Sequence, residues 1–90
     1  MNLTGLVRTV KNHRLILSSI TLENGEMYLK IEDGNNLTAL PLYCRRFTDS
    51  QDLVEASEIA MSMLLRFDGT TDVSSLFAVM TMNIDNQLTK

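Results

Sequence analysis

Cysteine, histidine and proline each occur once in these 90 residues, as Cys44, His13 and Pro41. A single cysteine excludes an internal disulfide framework and points to a reducing compartment. One histidine and one cysteine fall short of the three or four ligands that a zinc site takes, so no metal or other cofactor is expected. Glycine is sparse too. Gly5, Gly25, Gly34 and Gly69 are scattered rather than gathered in a loop that cradles phosphate. No apolar run approaches the roughly 18–20 residues that span a bilayer. Gly5, Arg8, Thr9 and Lys11 also interrupt any apolar stretch that could serve as a secretory signal. These absences predict a cytoplasmic protein, and nothing in the spacing brings His13 to Cys44 for nucleophilic chemistry. No enzyme is expected.

What is present is an ordinary globular composition, 44% apolar and 21% charged, which predicts one domain over residues 1–90. A core this small often gains stability from a second copy or a partner, so a homodimer is one expectation. The formal charge of −3 is unevenly spread. Residues 1–14 carry Arg8, Lys11 and Arg14 with no acid, +3, and residues 15–90 carry five cations against eleven acids, −6. Overall acidity argues against direct nucleic-acid binding, which draws most of its affinity from neutralised phosphates.

Leu3, Leu6, Val7 and Val10 fall at helical spacing and predict a short first helix, with Asn2 or Thr4 as its cap. Asn24-Gly25 is a strong hairpin signal. Taken as a two-residue type I′ loop, it pairs Leu22 with Met27, Ile20 with Leu29 and Ser18 with Ile31. That register gathers Ile20, Leu22, Met27, Leu29 and Ile31 on one face. Asp33-Gly34-Asn35-Asn36 predicts a second turn, and LTALPLYC a third strand with Leu40, Leu42 and Cys44 facing inward. Pro41 makes that strand an edge.

Thr48, Asp49 and Ser50 are competent caps for a following helix, Thr48 with Gln51 forming a capping box. Its apolar stripe is Leu53, Ala56, Ala60, Met61, Leu64 and Phe67, and Asp68-Gly69 ends it. Thr71 or Asp72 begins a last helix with Val73, Leu76, Phe77, Met80 and Ile84 on its stripe. The predicted order is α-β-β-β-α-α, an α+β fold with a three-stranded antiparallel sheet and helices on one face. Asp49, Asp52, Glu55 and Glu58 recur every three residues and read as a solvated helix face. Arg45-Arg46 reads as a source of partners for nearby acids. A double-stranded RNA-binding domain has a similar order, but TDSQDLVEASE would repel phosphate where that fold carries lysines. Met63 and Met82 lie off the stripes and are candidate partner contacts.

The opening MNLTGLVRTVKN, with Leu6, Val7, Arg8, Val10, Lys11 and Asn12, and the turn Asp33-Gly34-Asn35 resemble the small type II-A anti-CRISPR proteins of Listeria prophages. Met80 near the end is a further point of likeness. The resemblance implies a phage-encoded inhibitor that presents carboxylates to a CRISPR effector or another host nuclease. Asp33 and Asp72 match acids of that pattern. Arg14 reverses one charge and Asn36 neutralises another, which weakens the implied target more than the implied role.

The expected function is a small non-enzymatic protein-binding module, an inhibitor of a host defence nuclease. Its expected partner-binding residues are Glu23, Glu26, Glu32, Asp33 and Asp72. The alternative is a self-associating accessory protein.

Overall fold

A computed structural model describes residues 2–89, with side-chain surroundings from residue 5 onward. The elements run β1 (Asn2–Val10), β2 (His13–Thr21), β3 (Met27–Asp33), β4 (Tyr43–Phe47), α1 (Ser50–Arg66) and α2 (Val73–Leu88). All neighbouring strands are antiparallel, in the order β1-β2-β3-β4. The shape is a slab 35 × 31 × 18 Å, the thickness of one sheet under one layer of helices. The α+β class and the antiparallel sheet are as expected. The sheet has four strands rather than three, and two helices stand where three were expected.

The extra strand is the opening. Residues expected to form a helix form β1, joined to β2 through Lys11 and Asn12, with Val10 opposite His13. The 3–4 spacing misleads because β1 has apolar residues on both faces and a charge on the covered one. Leu6 and Val10 turn toward the helices with Arg8 between them, while Val7 lies on the other face. Thr4, Val7, Thr9 and Val10 are β-branched and suit a strand. The caps proposed at Asn2 and Thr4 have no helix to begin; the surroundings of those two side chains, and Met1 itself, lie outside the described residues.

The second hairpin is found, but one residue out of the expected register. Thr21 faces Met27, Ile20 faces Tyr28, and Leu17 faces Ile31. The loop is Leu22–Glu26: the Leu22 amide donates to the Glu26 carbonyl at 2.8 Å, and the Gly25 amide to the Leu22 carbonyl at 3.0 Å. Only Gly25 has positive φ, at 90°, so Asn24 does not take the conformation a type I′ turn demands. Its side chain instead accepts from the Glu26 amide at 3.0 Å. A slip of one residue exchanges the faces of a strand. Leu15 and Leu17 therefore join Met27, Leu29 and Ile31 in the core, Ile20 moves to the opposite face, and Leu22 is exposed.

The segment LTALPLYC is not a strand along its length. Pro41 breaks it, and β4 begins at Tyr43. Tyr43, Arg45 and Phe47 face the helices, whereas Leu40, Leu42 and Cys44 are exposed, the reverse of expectation. Arg45 is held by two neighbours: it lies 5.4 Å from the Phe47 ring centre and reaches Asp85 at 2.6 Å, while Tyr43 on the same face packs on Phe77. Burial pushes the Arg45 guanidinium down, but its hydrogen bond and charge contact with Asp85 outweigh that and raise it.

Asp49, rather than Thr48, caps α1, its carboxylate accepting from the Gln51 and Asp52 amides at 2.8 and 3.3 Å. Leu53, Ala56, Ala60 and Leu64 form the expected buried stripe, with Phe67 at the end. The two alanines let α1 settle close over β2 and β3. Met80 and Ile84 bury the stripe of α2, flanked by half-buried Val73, Leu76 and Phe77. Asp72 stands at the cap position of α2 without making a side-chain cap bond.

Candidate functional site

Both helices lie on one side of the sheet, so its other face is uncovered, and the register arranges that face in rows. One row runs Val7, Ile16 and Glu32, and its continuation onto the segment before β4 is Leu42. The next runs Gly5, Ser18, Lys30 and Cys44. A third runs from the β1 position of Leu3 through Ile20 and Tyr28 to Arg46. The small residues Gly5 and Ser18 make a shallow trough between the apolar flanks. At Gly5 a side chain has no room: a Cβ there would lie 2.8 Å from the Leu17 carbonyl oxygen.

At the Glu32 end, the loop from Gly34 to Leu42 presents three leucines to solvent. Leu40 is 87% exposed, Leu37 60% and Leu42 41%, and Val7 across the same row is 53% exposed. Arg14 borders this area, its aliphatic stem lying over Gly34, where a Cβ would meet it at 2.6 Å. The loop is pinned by local bonds rather than by burial. The Asn35 amide donates to Asp33 at 2.9 Å, the Asn35 side chain to the Asn12 carbonyl at 3.0 Å, and the Gly34 amide to the Arg14 carbonyl at 2.7 Å.

The five acids expected to form one partner-binding patch occupy three places. Glu23 and Glu26 lie in the β2–β3 loop. Glu32 and Asp33 end β3, seven residues from Met27 to Asp33 and thus about 20 Å away along the strand. Asp72 begins α2. Glu26 is engaged by the Tyr28 hydroxyl, which donates to it and whose own ionisation is pushed up by that bond. Asp33 caps its own turn, while Glu32 stands on the uncovered face beside Ile16. Sequence spacing missed Leu37, Leu40 and Leu42 as surface groups; Pro41, which cannot donate to a ladder, was the signal that this segment leaves the sheet.

Of the basic opening, Arg8 and His13 turn toward the helix layer, while Lys11 and Arg14 are exposed. Arg8 donates to the Phe67 carbonyl at 3.0 Å, the His13 ring meets the Phe67 ring edge-on at 5.4 Å between centroids, and the stem of Lys11 packs on Gly69. His13 therefore faces the helix layer and Cys44 the opposite side of the sheet. Between the outer surfaces of α1 and α2 runs a groove of about 670 Å³, with Glu55, Glu58, Ile59, Met63 and Asn83 among its lining. Among the described residues, no three His, Cys, Asp or Glu side chains gather as a metal site, and no helix is long and apolar enough to cross a membrane.

No family model, curated protein or solved structure matches this chain.

Proposed function

We propose that this chain is a non-enzymatic protein-binding module that docks through the Glu32 end of its uncovered sheet face and the adjoining leucine loop. The observation carrying this reading is that Val7, Ile16 and Leu42 share one cross-strand row, with Glu32 among them, at the end of the sheet where the loop exposes Leu37 and Leu40. Contiguous exposed apolar groups rimmed by charge are typical of protein interfaces. Here Glu32 lies within the row, Arg14 and Lys30 border it, and Asp33 follows at the strand end. Glu23, Glu26 and Asp72 stand apart from this area and would be contacts only for a partner large enough to wrap the slab.

The narrower reading is an inhibitor of a host defence nuclease, with a CRISPR effector as one candidate. It rests on the likeness in MNLTGLVRTVKN and Asp33-Gly34-Asn35. The test of the docking surface is capture of a partner from host lysate by the wild-type chain, Leu40→Asp and the pair Glu32→Arg with Asp33→Arg, at low and high salt. Loss of the partner with Leu40→Asp while the circular dichroism spectrum is unchanged is the expected result. Equal capture by all three chains would sink this surface. The nuclease reading has its own assay: expression in a CRISPR-immune host should restore phage plaques, and immunity left intact rejects it.

A further inference from the structure

The two edges of the sheet are built differently. β4 is five residues long, follows Pro41 and carries exposed Arg46, devices that discourage strand addition. β1 is nine residues long, has no proline, and pairs with β2 from Asn2 to Val10 without a bulge. Its one charge, Arg8, is turned inward onto the Phe67 carbonyl. α1 lies over β2 and β3, and α2 packs on the β4 side through Thr81–Tyr43 and Asp85–Arg45. The end of α1 reaches β1 through Phe67 at Arg8, and Gly5, Val7 and Thr9 of β1 are exposed.

We infer that β1 pairs edge to edge with β1 of a second copy, antiparallel, to make a continuous eight-stranded sheet. The two-residue loop at Lys11 and Asn12 makes Val10 and His13 a hydrogen-bonded pair, so the even residues of β1 bond to β2. The amides and carbonyls of Leu3, Gly5, Val7 and Thr9 then point outward. A strand spanning residues 2–10 has its midpoint at Leu6, and full overlap of two such strands sets Leu6 against Leu6. In that register Gly5 faces Val7, Leu3 faces Thr9, and each Arg8 faces Thr4 of the other copy.

This arrangement is self-complementary. No like charges meet, Val7 faces a residue without a side chain, and the outward groups form about eight new backbone hydrogen bonds. Leu6, half-buried at the margin of the core, is covered by its symmetry mate. The two-fold axis stands perpendicular to the sheet, which puts both helix layers on one side and both uncovered faces on the other. A contact of one strand is small against standard interfaces, so the dissociation constant should be on the order of micromolar. The inference is independent of which partner the uncovered face takes.

Sedimentation across roughly 1–500 μM tests it, with the wild-type chain expected to pass from monomer to dimer over that range. Val7→Pro removes an outward amide and should give a monomer throughout. Because proline could disturb folding, Leu6→Cys in a Cys44→Ser background gives a second measurement. The Leu6 pair is a non-hydrogen-bonded one, with Cα atoms about 4.5 Å apart, within disulfide range. Mild oxidation should therefore yield a covalent dimer. Val7→Cys in the same background should cross-link far more slowly, since Val7 faces Gly5. A wild-type chain that stays monomeric throughout, a folded Val7→Pro chain that still dimerises, or equal cross-linking at both positions would overturn the pairing.

Discussion

The guanidinium of Arg8 donates to the main-chain carbonyl of Phe67 at 3.0 Å, joining residues 59 apart in the chain. Phe67 closes α1, whose last carbonyls lack partners within the helix, and a cation is favourable at that end. The opening's positive charge thus serves the fold before it serves any ligand.

Replacing Arg8 separates two roles. Its Nε atom is buried without a partner, while its stem covers apolar surface. Arg8→Ala should cost about 2 kcal/mol, combining a charged hydrogen bond with lost packing. Arg8→Met keeps the stem and removes the unpaired nitrogen, so its cost should be about 1 kcal/mol. Urea denaturation of the two variants checks the order.

A second contact at the same end depends on glycine. Gly69 has φ of 80°, and a Cβ there would approach the Lys11 stem to 3.2 Å. Gly69→Ala should destabilise by about 1–2 kcal/mol. Lys11 itself has φ of 53°. Lys11→Gly should therefore be more stable than Lys11→Ala by about 1 kcal/mol in thermal or urea unfolding, although both lose the stem.

Asp68 gives stability a pH dependence. The Thr70 hydroxyl and amide donate to its carboxylate at 2.7 and 2.9 Å and hold it below the usual carboxylate range. A carboxyl depressed on folding stabilises the native state above its unfolded pKa, and that contribution disappears as pH falls through the folded value. The urea midpoint of the wild-type chain should exceed that of Asp68→Asn at neutral pH. The gap should close in acid.

The floor of the helix layer is set by small residues. Ala56 and Ala60 are fully buried and lie one turn apart on the face of α1 that meets the sheet. Ala60→Leu should overpack this contact and cost about 1–3 kcal/mol. Leu29→Ala, beneath the same helix, should cost about 2–5 kcal/mol by opening a cavity. Calorimetry of both variants gives the comparison.

Much of the helical half was legible because one face of each helix is buried and the other is not. Leu53, Ala56, Ala60 and Leu64 declare that stripe, as do Met80 and Ile84. The sheet was harder. Val7 and Ile16 sit on an uncovered face and Arg8 on a covered one, so the alternation that marks a strand is blurred. The leucine surface was hidden for a related reason: hydropathy places Leu40 and Leu42 inside, and only the interruption at Pro41 contradicts it. Acids were visible as residues, but their distribution over three places required the topology.

The register error at Asn24-Gly25 leads to a sharp experiment. In a type I′ turn both central residues need positive φ, so glycine at position 24 would be neutral or stabilising. Here only Gly25 has positive φ, and the Asn24 side chain accepts from the Glu26 amide. Asn24→Gly should lose that bond and add freedom to the unfolded chain, costing about 1 kcal/mol. Gly25→Ala should cost at least about 1 kcal/mol, because the left-handed conformation remains while the residue that favours it is gone. Equilibrium unfolding of both variants tests this loop; a stabilising Asn24→Gly would restore the two-residue turn, and with it the register that places Ile20 and Leu22 in the core.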